Sequence, residues 1–540
     1  MSGDVDASRI SPFLLRKSLV RLAEQSDRSE LELLDASRGA ANWQQRRVLN
    51  AWHCLGLFAA HAAAAPAGDG NVALALHPDS CSFAAFARFA AEHQGVPEIA
   101  DGCGLLACAW DWLAGEVLPG WSRDRIVYEF AEAVAGRRYP DPPTLDFVRP
   151  IMSRYLAPLL FGGDADLAGR FRVFACEGAT TGITQVTATL ARNGVISPGD
   201  KVAMWWPTYE PLRDLVECQL QCEVVPIRRD AALGWRVPPS EFDKLGDPAL
   251  RLVIMVSPGN PLPTVTDPES LDALQAMVTR RPDTLILADY VYMHFLDEPV
   301  ETEIARLPRN TLGVYSVSKD FGLAGARVGM VLVHDECVAD RLLAESATGA
   351  ECSARRYCRR SADPAHMPLL ERMIADSRGI SFDHMSGLST PLQVLACLCA
   401  CFDLIEPDAP EYFGWVRGQL RGRLAALYEG LGVDLPAWAD GPSSRYATTI
   451  DLCEVARVHG GDELARRLSE GEVWPFMQHL ASRWRVVLTV GQGFGSGEWS
   501  VRACFPSVDA DQARELGSRV ARAVVEHAGA AEPARTSRPV

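Results

Sequence analysis

The chain has 540 residues, of which 48% are hydrophobic and 23% charged, and a formal net charge of −16. That length exceeds one ordinary core and calls for two or more domains, while the acidic balance argues against a nucleic-acid-binding surface. No run of about 18 apolar residues marks a membrane span, and the acidic start MSGDVDASRI lacks the apolar core of a secretory signal, so a cytoplasmic enzyme without nucleic-acid or membrane partners is the simplest expectation.

Residues 1–60 read as an N-terminal arm. SPFLLRKSLVRLAE predicts a helix with a Ser-Pro start, and RRVLNAWHCLGLFAAHAAAA predicts a second, Ala-rich and apolar. Residues 61–150 read as mainly helical, a helical part of a small domain or an insertion. From about residue 170 short apolar runs alternate with helical stretches: FRVFACEG, KVAMWW, CEVVPI, LRLVIMVSP, TLILADY, TLGVYSV and RVGMVLV. Seven such strands with intervening helices predict an α/β domain over 151–385 with a mostly parallel sheet. Within it the polar segment 344–385 reads as an insertion or connection. Residues 386–525 read as a smaller α+β domain, helix-rich and then carrying strands at TTIDLC, RVVLTV and WSVRACF; 526–540 read as a disordered tail.

The 15 cysteines are scattered and odd in number, which does not fit a disulfide framework in a chain of this size. Cys397, Cys399 and Cys401 lie in VLACLCACFDLI, where residues two apart on a helix point to different sides. Burial, not metal ligation, is expected of them. Cys218 and Cys222 have no second ligand pair nearby and are expected to be structural, so no metal site is predicted.

The most informative stretch is Ser316-Val317-Ser318-Lys319, running on through Phe321-Gly322-Leu323-Ala324-Gly325-Ala326-Arg327-Val328-Gly329. A lysine so framed can form a Schiff base with an aldehyde cofactor. The hydroxyls of Ser316 and Ser318, with Arg327, can hold that cofactor's phosphate. A second phosphate-binding candidate is Glu177-Gly178-Ala179-Thr180-Thr181-Gly182, directly after FRVFAC. Small residues there, before a helix, leave backbone N–H groups free. Asp289 ends TLILAD, and Tyr292 follows three residues later. Tyr209 follows KVAMWW, Asn260-Pro261 follows LRLVIMVSP, and Arg502 lies in Trp499-Ser500-Val501-Arg502. Each has a plainer reading: Asp289 as an N-cap or turn residue, Tyr209 as an ordinary aromatic, Arg502 as a surface arginine on a strand.

The lysine string resembles the pyridoxal 5'-phosphate (PLP) motif of fold-type I aminotransferases, and the order of the other motifs matches that family. The resemblance implies the α/β fold of those PLP-dependent transferases and assigns roles. Gly178, Ala179, Thr180, Ser316, Ser318 and Arg327 hold the phosphate. Asp289 faces the pyridine nitrogen, Tyr292 and Asn260 bond the phenolic oxygen, Tyr209 stacks on the ring, and Arg502 clamps the substrate α-carboxylate. Further strings are similar to the aspartate 4-decarboxylase branch from about residue 30 to 510. They are Asp35-Ala36-Ser37-Arg38-Gly39 with Asn42-Trp43, Leu307-Pro308-Arg309-Asn310-Thr311, Arg355-Arg356-Tyr357, His384-Met385-Ser386-Gly387-Leu388-Ser389-Thr390-Pro391, and Gly493-Phe494 with Glu498-Trp499-Ser500-Val501-Arg502. Arg38 matches the N-terminal arginine of that branch, a candidate for the distal end of the substrate or else a surface arginine of the arm.

The implied chemistry passes through an external aldimine and a quinonoid to β-decarboxylation, transamination or both, with Lys319 as general base. The chain departs from the branch at Ala40-Ala41, at Ala179 in place of a glycine, at Tyr290 in place of an acidic residue, at Asp320 in place of an aromatic, and at Ala326, before Arg327, in place of tryptophan. These departures keep a rival open, a biosynthetic enzyme that turns the same cofactor to γ-elimination and C–C bond formation, for example on S-adenosylmethionine. Arg355, Arg356, Arg359 and Arg360 could then serve an anionic co-substrate, or form a solvated basic face. Plain transamination is a further alternative. A PLP-fold transcription regulator would want a basic helix-turn-helix module, which residues 1–60 do not show. Sites of this family lie between subunits, so a homodimer or larger homo-oligomer is expected, acting on a small amino acid.

Overall fold

The chain opens with a helix, Pro12–Glu24, and a two-residue strand, β1 (Leu34–Asp35), before the main sheet begins. The computed structural model describes residues 11–63, 72, 74–140, 142–345, 355–377 and 387–530. The main sheet has seven strands: β2 (Phe171–Cys176), β3 (Lys201–Trp206), β4 (Glu223–Arg228), β5 (Leu250–Val256), β6 (Leu285–Asp289), β7 (Thr311–Ser316) and β8 (Gly329–His334). Their order is β2-β8-β7-β6-β5-β3-β4. Pairs from β4 through β3, β5 and β6 to β7 are parallel, and β8 runs antiparallel to both β7 and β2. These are the seven apolar runs read from the sequence, in the mostly parallel α/β arrangement expected of them.

Strands buried on both faces are apolar at nearly every position, because each alternation turns a side chain into a different core. Val173 and Ala175 of β2, Ala203 and Trp205 of β3, and Ile286 and Ala288 of β6 belong to one core. Phe174, Val202, Met204, Leu285 and Leu287 belong to the other. The first core is covered by helices Arg46–Ala62, Phe83–Glu92, Pro97–Trp112, Arg123–Ala135, Val148–Leu160 and Thr390–Ile405. The helices of 61–150 thus lie on the large sheet and not in the small domain. Thr390–Ile405, read with the C-terminal domain, packs among them. That helix is buried on all sides, which is why Cys397, Cys399 and Cys401 are all fully buried despite pointing apart.

The second core runs on into the C-terminal domain, where β11 (Thr489–Val490), β12 (Ser500–Cys504) and β9 (Ala447–Asp451) form an antiparallel sheet. Short β10 (Val486–Val487) pairs in parallel with β1. The N-terminal arm is split between the two bodies: Pro12–Glu24 packs on helix Val473–Trp484, and Arg46–Ala62 joins the helical layer. Of 344–385, the described helix Leu369–Asp376 rests on Ala179–Arg192; His384–Ser386 and the 531–540 part of the tail fall outside the described residues. Among the described residues no helix is long and apolar enough to cross a membrane, and no cluster of metal-ligating side chains occurs.

Helices Ala409–Leu431 and Ala510–Ala530 cross closely because glycines meet backbone. A Cβ at Gly430 would lie 2.0 Å from Arg514 O, and one at Gly517 would lie 2.2 Å from Leu427 O. Overpacking of this kind costs about 1–3 kcal/mol. Gly517→Ala is therefore expected to lower the free energy of unfolding from denaturant titration by that amount, and an unchanged value would show that the crossing has slack.

Candidate active site

Parallel α/β sheets leave a crevice at the carboxyl ends of their strands. Here the ends of β3, β5, β6 and β7, the helix that follows β2, and β12 of the small domain meet at a cavity of ≈ 490 Å³. Lys319, Ala179, Thr180, Tyr209, Asn260, Asp289, Tyr292, Ser316, Ser318, Arg327, Arg502 and Arg38 all line it. Residues as far apart in the chain as Arg38 and Arg502 are thus brought together. Gly178 stands just behind the lining, at φ +88°, with Arg327 packed so closely that a Cβ would come within 2.3 Å of its Nη2. Only glycine fits that position.

The helix Ala179–Arg192 starts at Gly178 without a side-chain cap, so its first N–H groups point out unclaimed by one. Ser316 Oγ donates to Val328 O at 2.6 Å and lies 2.7 Å from Ser318 Oγ. Arg327 Nη1 donates to Ala324 O at 2.9 Å. Uncapped amides, two hydroxyls and a guanidinium around one hollow suit a phosphate.

Asp289 ends β6, buried, and its Oδ1 accepts from Val291 N at 3.2 Å. The turn reading thus holds alongside the cavity reading. Burial pushes its carboxyl up to about 7, the behaviour of a buried anion without a close cation. A protonated ring nitrogen would supply that cation. Asn260 Nδ2 donates to the Tyr292 hydroxyl at 3.4 Å, and Asn260 Oδ1 accepts from Arg502 Nη1 at 3.3 Å. Part-buried Lys319 donates from Nζ to Gly39 O at 2.8 Å. Burial lowers the basicity of its amine, Cys504 opposes that, and Arg502 and Arg327 add to it. The residues present therefore fit PLP: a basic amine, an uncompensated carboxylate and a phosphate cup cleared by a glycine.

Arg502 is buried, with Nη2 donating to Ser37 O at 2.7 Å and Nε without a hydrogen-bond partner. Phe494 and Phe13, themselves packed edge to face, lie beside its guanidinium with centroids at 4.8 and 5.7 Å. Arg38 is exposed yet lines the cavity. Arg355, Arg356, Arg359 and Arg360 are not among the lining residues, and Arg356 is engaged by Asp376 at 2.5 Å. Sequence reasoning missed Phe13, Gly39 and Cys504, which also line the cavity. Cys504 was within reach: it stands two residues past Arg502 on β12 and so shares its face. Gly39 contributes a carbonyl, which no residue type announces, and Phe13 arrives from a distant helix.

The aminotransferase class I and II family model matches residues 165–520. A bifunctional aspartate aminotransferase and L-aspartate β-decarboxylase of a Pseudomonas species is 31% identical over 525 residues, 95% of this chain and 96% of that one. An aspartate aminotransferase of Pinus pinaster is 28% identical over 186 residues, covering 33% and 37%. Among solved structures, the aspartate aminotransferase of Rhizobium meliloti aligns with a TM-score of 0.59 at 14% identity, over 97% of this chain and 98% of that one. A double mutant of the Thermus thermophilus enzyme aligns at 0.58 and 15%, over 97% of each. Matched in this way along nearly its whole length, the chain belongs to the class I and II aminotransferases and is a PLP-dependent enzyme.

Proposed function

We propose that this enzyme acts on L-aspartate, by β-decarboxylation to alanine and CO₂, by transamination, or by both. The observation that carries this reading is the presence, besides Arg327 at the phosphate cup, of two further guanidinium groups, Arg502 and Arg38, on the same cavity as Lys319. A substrate with two carboxylates and an amine matches that set, and the near-full-length Pseudomonas relative is named for both reactions on aspartate. The family site lies between subunits, so the working form on this reading is a homodimer or larger homo-oligomer.

Thr180, Ser316, Ser318, Arg327 and the Ala179 amide would hold the PLP phosphate. Asp289 would hold its ring nitrogen, Tyr292 and Asn260 its phenolic oxygen, Tyr209 its ring face and Lys319 its aldehyde. When bound, PLP supplies an electron sink. Lys319, its amine made less basic by burial and by the two nearby arginines, removes and returns the proton at the substrate α-carbon. Arg502 takes the α-carboxylate through its planar donor edge, with Phe13 and Phe494 packed together beside its guanidinium. Arg38 meets the second carboxylate at the open side of the cavity.

Incubation of the purified holoenzyme with L-aspartate, with and without 2-oxoglutarate, is expected to give alanine and CO₂, oxaloacetate, or both. Absence of all three, or turnover of S-adenosylmethionine in their place, would overturn the reading. Lys319→Ala should lose the visible absorbance of lysine-bound cofactor and roughly 10²–10⁴-fold in rate. Arg502→Gln removes charged hydrogen bonds worth about 1.5–3 kcal/mol, so kcat/KM for aspartate should fall about 10–150-fold, mainly through KM.

Asp289 also links stability to pH. Its folded-state pKa lies above the ordinary carboxylate value of 3.8, so the folded chain binds that proton more tightly than the unfolded one. Cofactor-free protein should therefore lose stability as pH rises from about 4 through about 7, by roughly 1.4 kcal/mol per unit at most. Asp289→Asn should flatten that decline in thermal unfolding from pH 5 to 8 while holding PLP more weakly.

A further inference from the structure

Behind the lysine turn lies a buried polar cluster that takes no part in the chemistry above. Alternation along β7 sends Ser316 to the cavity and Tyr315 to the opposite, helix-covered side. Asp320, one residue past Lys319, is fully buried on that same side. Its Oδ2 accepts from the Tyr315 hydroxyl, so residues 315 and 320 clasp the segment that presents Ser316, Ser318 and Lys319. Tyr155, from helix Val148–Leu160, places its hydroxyl 2.7 Å from that of Tyr315 and 3.5 Å from Asp320 Oδ2. The same hydroxyl lies 2.8 Å from Nε2 of His294, which stands two residues past Tyr292. The cluster therefore ties the Lys319 turn to the Asp289–Tyr292 turn.

Backbone pairing does not make this tie further out. The β6–β7 ladder ends at Asp289 opposite Val314, with one more bond from Tyr290 N to Val314 O at 2.9 Å. Beyond it the side chains and helix Ala409–Leu431 hold the two turns together. Tyr412 donates to Asp320 O at 2.8 Å, Arg417 Nη1 donates to His294 O at 3.2 Å, and the His294 ring stacks on Phe413 at 4.2 Å. Each hydroxyl carries one proton. With Tyr315 donating to Asp320, Tyr155 donates to Tyr315 and His294 Nε2–H donates to Tyr155. The ionisable groups around Asp320 are Tyr315, Tyr155, Asp403, Cys399, Tyr412 and, on the cavity side, Tyr446. Burial pushes Asp320 up to about 8 and Asp403 up to about 7, and pushes His294 down to about 3, so the cluster can sit in the interior with little net charge.

We propose that Asp320 is a positioning residue: through Tyr315 and Tyr155 it locks the turn bearing Lys319 to the turn bearing Asp289 and Tyr292, and so sets where the lysine amine stands and how readily it gives up its proton. The proposal rests on Lys319 holding PLP, but not on aspartate as substrate.

The test compares holoenzymes carrying Asp320→Ala, Asp320→Asn and Tyr155→Phe, with Lys319→Ala as control. Two quantities are read: the pH midpoint at which the visible band of lysine-bound cofactor changes, which needs no substrate, and kcat against KM for aspartate. Asp320→Ala and Tyr155→Phe should move the midpoint by about half a unit or more and lower kcat about tenfold or more, with KM changed less than about twofold. Asp320→Asn keeps an oxygen that accepts from Tyr315 and should stay close to wild type in both. If Asp320→Ala does not fold, Tyr155→Phe decides, since it removes one hydroxyl and keeps the ring. Midpoints unchanged in folded, PLP-loaded variants overturn the proposal, whatever happens to thermal stability; an Asp320→Asn enzyme as impaired as a folded Asp320→Ala overturns its hydrogen-bond basis. A visible band persisting in Lys319→Ala would instead overturn the cofactor assignment on which it stands.

Discussion

A carboxylate without a cation is the constraint around which this molecule is arranged. Asp289 lies at the end of a central strand, with a core on each side of the sheet. Removing an ion from water to such a place costs on the order of several kcal/mol. The chain gives Asp289 one backbone N–H and the distant pull of Lys319, which leave its carboxyl up at about 7. A site that withholds part of the compensation from its own side chains keeps it available for a ring nitrogen. Lys319 shows the complementary condition, an amine made less basic by burial and by nearby arginines.

The sheet separates two kinds of work. On the cavity side, side chains end in groups with spare donors or acceptors: the uncapped turn at Gly178, the edge of Arg502, the carboxyl of Asp289. On the helix-covered side, the hydroxyls of Tyr315 and Tyr155, His294 Nε2 and Asp320 Oδ2 bond one another, and Asp320 Oδ1 has no hydrogen-bond partner among the described residues. Preorganisation requires both, since a site can keep unmet valences only where its support has few. The N-terminal segment is fastened in the same manner, with Ser37 O accepting from Arg502 and Gly39 O accepting from both Lys319 and Tyr446.

How much of this could be read from the chain depended on whether the signal was local. The seven strands of the main sheet were legible because burial on both faces leaves continuous apolar runs. The order of site motifs was legible because most of them, from Gly178 to Lys319, stand at or just after a strand end. The placement of Thr390–Ile405 was not, since a helix apolar all round carries no mark of which body buries it. Helices of 61–150 such as Arg123–Ala135 are amphipathic, and an apolar stripe says that a helix is buried without saying on which body. Phe13 and the Gly39 carbonyl act through tertiary contact alone. Asp320 stood out in the sequence as an unexpected residue, but only coordinates show that its side chain turns away from the cavity and toward two tyrosines. The arginines 355–360 show the reverse case, a conspicuous local pattern that does not line the site.

The bond from Arg502 to Ser37 spans 465 residues, and that span bears on how the protein is made. A ribosome adding about 5–20 residues per second delivers the second partner roughly 20–90 s after the first. Throughout that interval helix Pro12–Glu24 lacks the helix Val473–Trp484 on which it packs, and β1 lacks β10. The nascent chain therefore carries an amphipathic N-terminal helix whose apolar face has no docking surface until synthesis is nearly over.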